Sequence, residues 1–427
     1  MLIAPMPAHE LMVFLLQVGL LLLLAKVLGR VASHFGLPPI MGELLAGVVL
    51  GPSLFGRIAS GASHWLLPQQ AEQVHVLDGI SQIAVVLLVG LTGMELDTAL
   101  IRRRSATALR VSLAGIIVPF VPGVALGYPL AHLLNISPDH RGLFAFFLGV
   151  AMSVSAIPVI AKTLLDMNLI HRNIGQLTLI AGMVDDAVGW FMLSIVSALA
   201  IGGVTVGNVG AALVSLPLVA VGAAVVGRPI VRQILRRTAD STEGTTAAVV
   251  VLILLSGALT QSLKLEGVFG AFVCGIVIGS CPEFSWSRVA ALRTVVLAFL
   301  APLFFATAGL RIDLGALTKP AVLAAAAIVL VVAISGKFAG AYIGGRLSRL
   351  TRWEALALGA GMNARGVVEV IVAMVGLRLG VLDTDSYTIV VLVAVVTSLM
   401  APPILRLTMA NVEHTADEKL RLQERVV

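Results

Sequence analysis

Residues 175–203 read GQLTLIAGMVDDAVGWFMLSIVSALAIGG, an apolar run whose only charges are the neighbours Asp185 and Asp186. As a helix rising about 1.5 Å per residue, the run is long enough to cross a hydrocarbon core about 30 Å thick. The acidic pair then sits about 15 Å from the nearer end, close to the membrane midplane. One carboxylate at that depth costs roughly 2.5–3.5 kcal/mol even on a mild insertion scale. Two adjacent carboxylates also repel, so at least one must be protonated, paired with a cation, or each in turn. Those are the states of a carrier that exchanges protons for metal cations. A structural ion pair joining helices is the plainer alternative, but one acid would be enough for that.

The rest of the chain agrees that lipid is its solvent. Hydrophobic residues make up 58% of the 427 residues and charged ones 12%, about half the globular share of charge. The net charge of +6 does not gather into a basic cluster with interleaved aromatics, so no nucleic-acid partner is expected. Cys274 and Cys281 lie in or just beyond one apolar segment without CxxC or Cys/His spacing, which gives no metal cluster or disulfide framework. No cofactor motif appears either, and no nucleophile–base arrangement suggests an enzyme. The N-terminus turns apolar within ten residues and lacks a basic region or cleavage site, and reads as a first spanning helix.

Apolar segments fall near 11–29, 40–55, 80–96, 106–134, 142–165, 174–201, 209–235, 246–263, 268–280, 289–310, 321–345, 355–377 and 386–409, about thirteen spanning helices in all. The fold class is therefore an all-α polytopic membrane protein, with a membrane domain over residues 1–410 and a short tail, 411–427. Alternate connections hold Arg30, then Arg102 to Arg104, Lys162 and Arg172, Arg228 to Arg237, Arg288 and Arg293, Arg346 to Arg352, and a basic tail. The other connections hold only Arg57, Arg141, Lys264, Arg311, Lys319 and Arg378. By the positive-inside rule the N-terminus faces out and the C-terminus lies in the cytoplasm, as expected for a multi-pass protein of a bacterial inner (plasma) membrane.

A weak internal repeat runs through these segments. GELLAGVVLG (Gly42–Gly51) matches GAFVCGIVIG (Gly270–Gly279) with the same glycine spacing. GMELD (Gly93–Asp97) pairs with GLRID (Gly309–Asp313), and LGVAMSVSAIPVI (Leu148–Ile160) with LGAGMNARGVVEV (Leu358–Val370). Each pair lies an odd number of segments apart, so the copies cross the membrane in opposite directions. An inverted-topology repeat follows, with repeat one near 11–201, a linker helix near 209–235 and repeat two near 246–409.

The third match is the informative one. Ser153, Ser155 and Pro158 stand mid-segment in one copy, and Asn363, Arg365, Gly366 and Glu369 in the other. Polar and helix-weakening residues at corresponding places in two halves point to a binding site built from crossed broken helices. Arg365 and Glu369 read equally as a same-helix ion pair at i, i+4, and Pro158 as a simple kink. Lys337 is the other deep charge. Either it snorkels to the interface or it pairs with one aspartate and leaves the second exchangeable. Glu43 reads as a capping or interfacial residue and Lys26 as a snorkelling one.

These residues resemble the monovalent cation:proton antiporter superfamily, in the branch called the second cation/proton antiporter family. The motifs are LPPIMGELLAGVVLGPSLFG (Leu37–Gly56), MVDDAVG (Met183–Gly189), GKFAG (Gly336–Gly340) and MNARGVVEV (Met362–Val370), within a likeness spanning about residues 10–410. The resemblance implies a dimerisation domain, a core domain that moves against it, and a homodimer. It also implies that Asp186 takes the metal cation, Na⁺ or K⁺, and the proton in alternation. Asp185 would pair with Lys337, and Ser153 and Ser155 would lie near the ion. Two aspartates with a lysine resemble the electrogenic type. The Asp-Asp pair departs from potassium-efflux relatives, which carry Gln-Asp and a soluble nucleotide-binding domain. A sodium-coupled symporter of an organic solute and a cation channel remain as other readings.

Overall fold

The computed structural model describes residues 7–67, 71–95, 105–167, 169, 172–202, 214, 218–219, 221–263, 265–415 and 418, and among these the protein is helical without strands. Outside them lie Arg102, Arg103, Arg104, Lys264, much of the first half of the predicted linker helix, and the tail beyond Thr415 apart from Glu418. The side chains of Pro158 and Lys162 are also outside the description.

In chain order the main helices are α1 (Ala8–His34), α2 (Pro39–Leu50), α3 (Ala71–Met94), α4 (Ser105–Leu133), α5 (Arg141–Ser153), α6 (Ile157–Asp166), α7 (Asn173–Gly202) and α8 (Arg228–Arg237). They continue as α9 (Thr242–Ser262), α10 (Gly267–Gly279), α11 (Ala301–Gly309), α12 (Pro320–Leu347), α13 (Arg352–Met362), α14 (Val367–Arg378) and α15 (Thr384–Met409). Among the described residues nine helices are long and apolar enough to cross a membrane, or ten if the bent pair α13–α14 is one span. The expected count of about thirteen is not reached among them. The segment near 142–165 is split into α5 and α6, α10 has only 13 residues, and the first half of the segment near 209–235 lies largely outside the described residues.

Helix α1 shows how lipid shapes the surface. Val13, Gln17, Leu21, Ala25, Gly29 and Ala32 form its buried face. Leu11, Leu15, Leu23, Val27 and Val31 are 46–61% exposed on the other. A helix apolar all round fits hydrocarbon and not water.

The chain forms two compact units, each drawing helices from both halves of the sequence. Unit 1 comprises residues 1–95, 219–263 and 267–315, and unit 2 comprises 96–218, 264–266 and 316–427. In unit 1 the repeated glycines make reciprocal contacts. A Cβ on Gly47 of α2 would fall 1.9 Å from the Ala306 carbonyl of α11, and one on Gly309 would fall 2.1 Å from the Leu44 carbonyl. In the same way a Cβ on Gly275 of α10 would lie 2.1 Å from the Gly90 carbonyl of α3, and one on Gly93 would lie 2.4 Å from Phe272. Each glycine helix of one copy thus packs on the partner helix of the other. Small residues allow this backbone approach, which supplies the dispersion that association in lipid needs. Glu43 corrects its sequence reading: it is 9% exposed within α2, packed near Gly29 of α1, and not an interfacial residue.

In unit 2, α12 lies along α4 through Gly336, Gly340 and Gly344, where added Cβ atoms would meet Pro119, Ala114 and Val111. Local signals start the helices that frame the site. Thr351 and Glu354 form a capping box at α13, and Asp383 and Ser386 form another at α15, satisfying amides that have no partner inside the helix.

Candidate functional site

The break between α5 and α6 covers Val154–Ala156, and the break between α13 and α14 covers Asn363–Gly366. The second break bends its pair by 44°. Gly366 has φ +150°, and a Cβ there would also meet Val159 at 2.6 Å, so both conformation and space call for glycine. Pro158 is the second residue of α6, where a missing N–H costs the helix nothing.

The two breaks satisfy each other. The Ala156 amide donates to the Ala364 carbonyl at 3.2 Å, and the Ser155 hydroxyl, its one proton shared with Asp185, lies 2.9 Å from the Met362 carbonyl. The last carbonyls of α5, which have no partner within their helix, are all taken. Ser153 Oγ donates to Val150, Arg365 donates to Ala151 at 3.0 Å and to Met152 at 2.6 Å, and Lys337 donates to Ser153. Two cations therefore stand at the negative end of the α5 dipole. Arg365 also donates to Ala333 of α12 at 3.1 Å and pairs with Glu369 at 3.1 Å. It joins three helices, and the same-helix pair is one part of its bonding.

Asp185 and Asp186 on α7 are 1% and 0% exposed, yet their surroundings differ. Asp185 accepts from Ser112 of α4 at 2.5 Å, from Ser155 at 2.9 Å and from Lys337 at 2.5 Å. Three donors on one carboxylate suit a charged, acceptor-only group. Among the described residues neither Asp186 oxygen has a side-chain partner, while the Ile157 amide that opens α6 faces it. A buried carboxyl group in that position is satisfied by taking a proton or a metal cation. The only other side chain of the two breaks whose polar end is wholly unpartnered among the described residues is Asn363, both of whose amide atoms are buried without a bond.

The structure thus gathers Asp185, Asp186, Ser153, Ser155, Lys337, Asn363, Arg365, Gly366 and Glu369 in unit 2. The two serines have different partners. Ser155 bonds Asp185, and the Ser153 hydroxyl turns back to its own helix, leaving the Ser153 carbonyl to Lys337. Ser112 and Ser398, whose hydroxyl donates to the Arg365 carbonyl, were not signalled by the sequence. Each is a small polar residue in an apolar run, with no spacing to mark it. No group of three or more His, Cys, Asp or Glu side chains able to hold a metal occurs among the described residues. A monovalent cation here would rest on single carboxylate, amide and carbonyl oxygens.

Comparison with known proteins agrees with this architecture. The chain is 32% identical over 93% of its length to the Na(+)/H(+) antiporter NhaS4 of Synechocystis sp., covering 98% of that protein. It is 32% identical over 96% of its length to Cation/H(+) antiporter 15 of Arabidopsis thaliana, but spans 49% of that longer chain. Its fold matches the solved sodium proton antiporter MjNhaP1 of Methanocaldococcus jannaschii with a TM-score of 0.70, covering 97% and 99% of the two chains at 16% identity. The model of the transmembrane sodium/hydrogen exchanger family matches residues 19–410, the whole of the two-break architecture, and the chain belongs to that family.

Proposed function

We propose that the protein exchanges a monovalent cation, Na⁺ or K⁺, for protons across a membrane by alternating access, with Asp186 carrying cation and proton in turn. One observation carries the assignment to Asp186. Of two adjacent buried aspartates, Asp185 is saturated by Lys337, Ser112 and Ser155, whereas Asp186 has no side-chain partner among the described residues. Asn363, whose amide is also without a bond among the described residues, is a neutral group of the second break that supports the reading. The names of the relatives support the exchange reading, and a transporter rather than an enzyme is its consequence.

Further features of this reading rest on the sequence. The distribution of basic residues supports an outward N-terminus and a cytoplasmic C-terminus in the cell membrane. The repeat matches support two inverted halves around a linker helix near 209–235, and the family resemblance supports a homodimer.

Purified protein in liposomes with an internal pH dye tests the proposal, with Na⁺, K⁺ and Li⁺ added separately. A shared site makes cation and proton compete, so the half-saturating cation concentration rises as pH falls, by up to about tenfold per unit below the site's titration point. A half-saturation constant that stays flat between about pH 6 and 8.5 would show separate sites. Flux coupled to an organic solute, or conduction without pH coupling, would replace the antiporter reading.

A further inference from the structure

The helix that carries both aspartates is tied down at its start by a segment about 240 residues away. Arg172, immediately before α7, is 3% exposed. Its guanidinium donates to the Val412 carbonyl at 2.8 Å, to the Glu413 carbonyl at 3.1 Å and to His414 Nε2 at 3.1 Å. Its Nε lies 3.2 Å from Glu418 Oε2. The other Glu418 oxygen accepts the backbone N–H of Asn173, the first residue of α7, at 2.6 Å. Thr415 completes the turn: its amide donates to Glu418 at 2.9 Å and its hydroxyl accepts from Asn173 Nδ2 at 3.2 Å.

Burial alone would push the Glu418 carboxyl up. The amides of Asn173 and Thr415 and the Arg172 charge overcome that and hold it below the usual glutamate range. A carboxylate on the first amide of a helix also meets the positive end of the helix dipole. The rest of the segment is held little. Asn411, Glu413, His414 and Thr415 are exposed, and among the described residues beyond Val412 only Glu418 is buried. Besides the Arg172 contacts to Val412, Glu413 and His414, the one buried side chain that fastens the described part of this strap is the Glu418 carboxylate.

We propose that Arg172 and the Asn173 amide form a carboxylate-binding site whose ligand is the chain's own Glu418, and that this docking, which is reversible, sets how fast the transporter turns over. The proposal adds regulation to the exchange reading. The link to transport is the axial position of α7. Asp185 and Asp186 lie about 18 Å along α7 from Asn173, and Asp185 reaches three donors on three other segments. Shifts well under an ångström would loosen those bonds.

The test uses the full chain in lipid nanodiscs and in liposomes, as wild type, Glu418→Gln and Glu418→Asp. Hydrogen–deuterium exchange over residues 173–177 reads docking without reference to transport. We expect Glu418→Gln to exchange there about tenfold faster, with α12 unchanged as the sign of an intact fold, and to turn over at least threefold more slowly at saturating cation. Glu418→Asp, which keeps the charge, should recover part of both. Wild-type protection of residues 173–177 in Glu418→Gln would overturn the carboxylate site. Lost protection with unchanged turnover would overturn the control of transport.

Discussion

In unit 1 the helices meet through glycines and the ion pairs stay near the rim; in unit 2 Asp185, Asp186, Lys337, Arg365 and Glu369 are all at most 2% exposed. The rim pairs of unit 1 include Arg232–Glu283, Arg293–Glu95 and Arg57–Asp313, whose basic members are 48–59% exposed. Among the described residues, the one buried charged side chain of unit 1 is Glu43. The difference is one of purpose. Backbone-to-backbone contact through glycine holds helices in lipid without dehydrating any charge. Burying five charged groups is costly unless each is paired and hydrogen-bonded, and among the described residues these five meet that condition except at Asp186, one Glu369 oxygen and the Arg365 Nε. A unit built for packing and a unit built around an incomplete polar network should respond differently to substitution.

The largest expected effect is at the incomplete point. Asp186→Asn keeps the volume but can neither exchange a proton nor offer charge to a cation, so cation-driven proton movement should vanish while insertion and melting temperature persist. Normal exchange by well-folded Asp186→Asn in the liposome assay would remove the distinction between the two aspartates.

Next is the saturated pair. Lys337→Ala leaves Asp185 buried without its cation, a loss of about 3–5 kcal/mol when the carboxylate stays charged. The melting temperature in detergent should fall clearly at pH 8. Asp185→Asn on the same background should recover part of the loss. A double mutant whose loss equals the sum of the singles would show that the two side chains are not coupled.

In unit 1, Gly309→Val places side-chain carbon where the Leu44 carbonyl already stands. Overpacking of this kind costs about 1–3 kcal/mol. It should lower the melting temperature, and Asp185→Asn on that background should recover none of the loss. Recovery there would blur the contrast between the units.

The smallest effect belongs to the rim. Hydrogen bonds from Arg232 and Arg236 hold the Glu283 carboxyl down at about 2. A depressed carboxyl contributes its stability above the ordinary glutamate range and loses it as pH falls toward that value. Glu283→Gln should therefore shift melting by only about a degree or two at pH 7, with the difference from wild type vanishing at strongly acid pH. A large shift at neutral pH would mean that the rim pairs matter as much as the glycines.

What the sequence disclosed follows the same division. Charges inside apolar runs are rare enough to mark themselves, which is why Asp185, Asp186, Lys337, Arg365 and Glu369 were legible one by one. The matching of LGVAMSVSAIPVI with LGAGMNARGVVEV located both breaks. Ser112 was not legible, because a serine in a membrane helix most often bonds its own backbone, and only the fold shows it facing Asp185. The roles of Ser153 and Ser155 were illegible for the same reason: a hydroxyl two residues away can turn to a different partner. Glu43 was misread because its position near a helix start is compatible with both burial and exposure. Helix count suffered where a break or a short helix divides a span, since hydropathy does not see hydrogen bonding.

The reciprocal glycine contacts bear on how the chain is made. Gly47 waits for Ala306, and Gly93 for Phe272, so the first helices of unit 1 enter the bilayer long before their packing partners are synthesised. At about 5–20 residues per second the interval is on the order of tens of seconds. Through that time α2 and α3 expose notched faces to lipid or to the insertion machinery, and unit 1 closes only when α10 and α11 arrive. A ribosome stalled within the second half would leave those notches open, which makes the unfinished chain, more than the finished one, a target for membrane quality control.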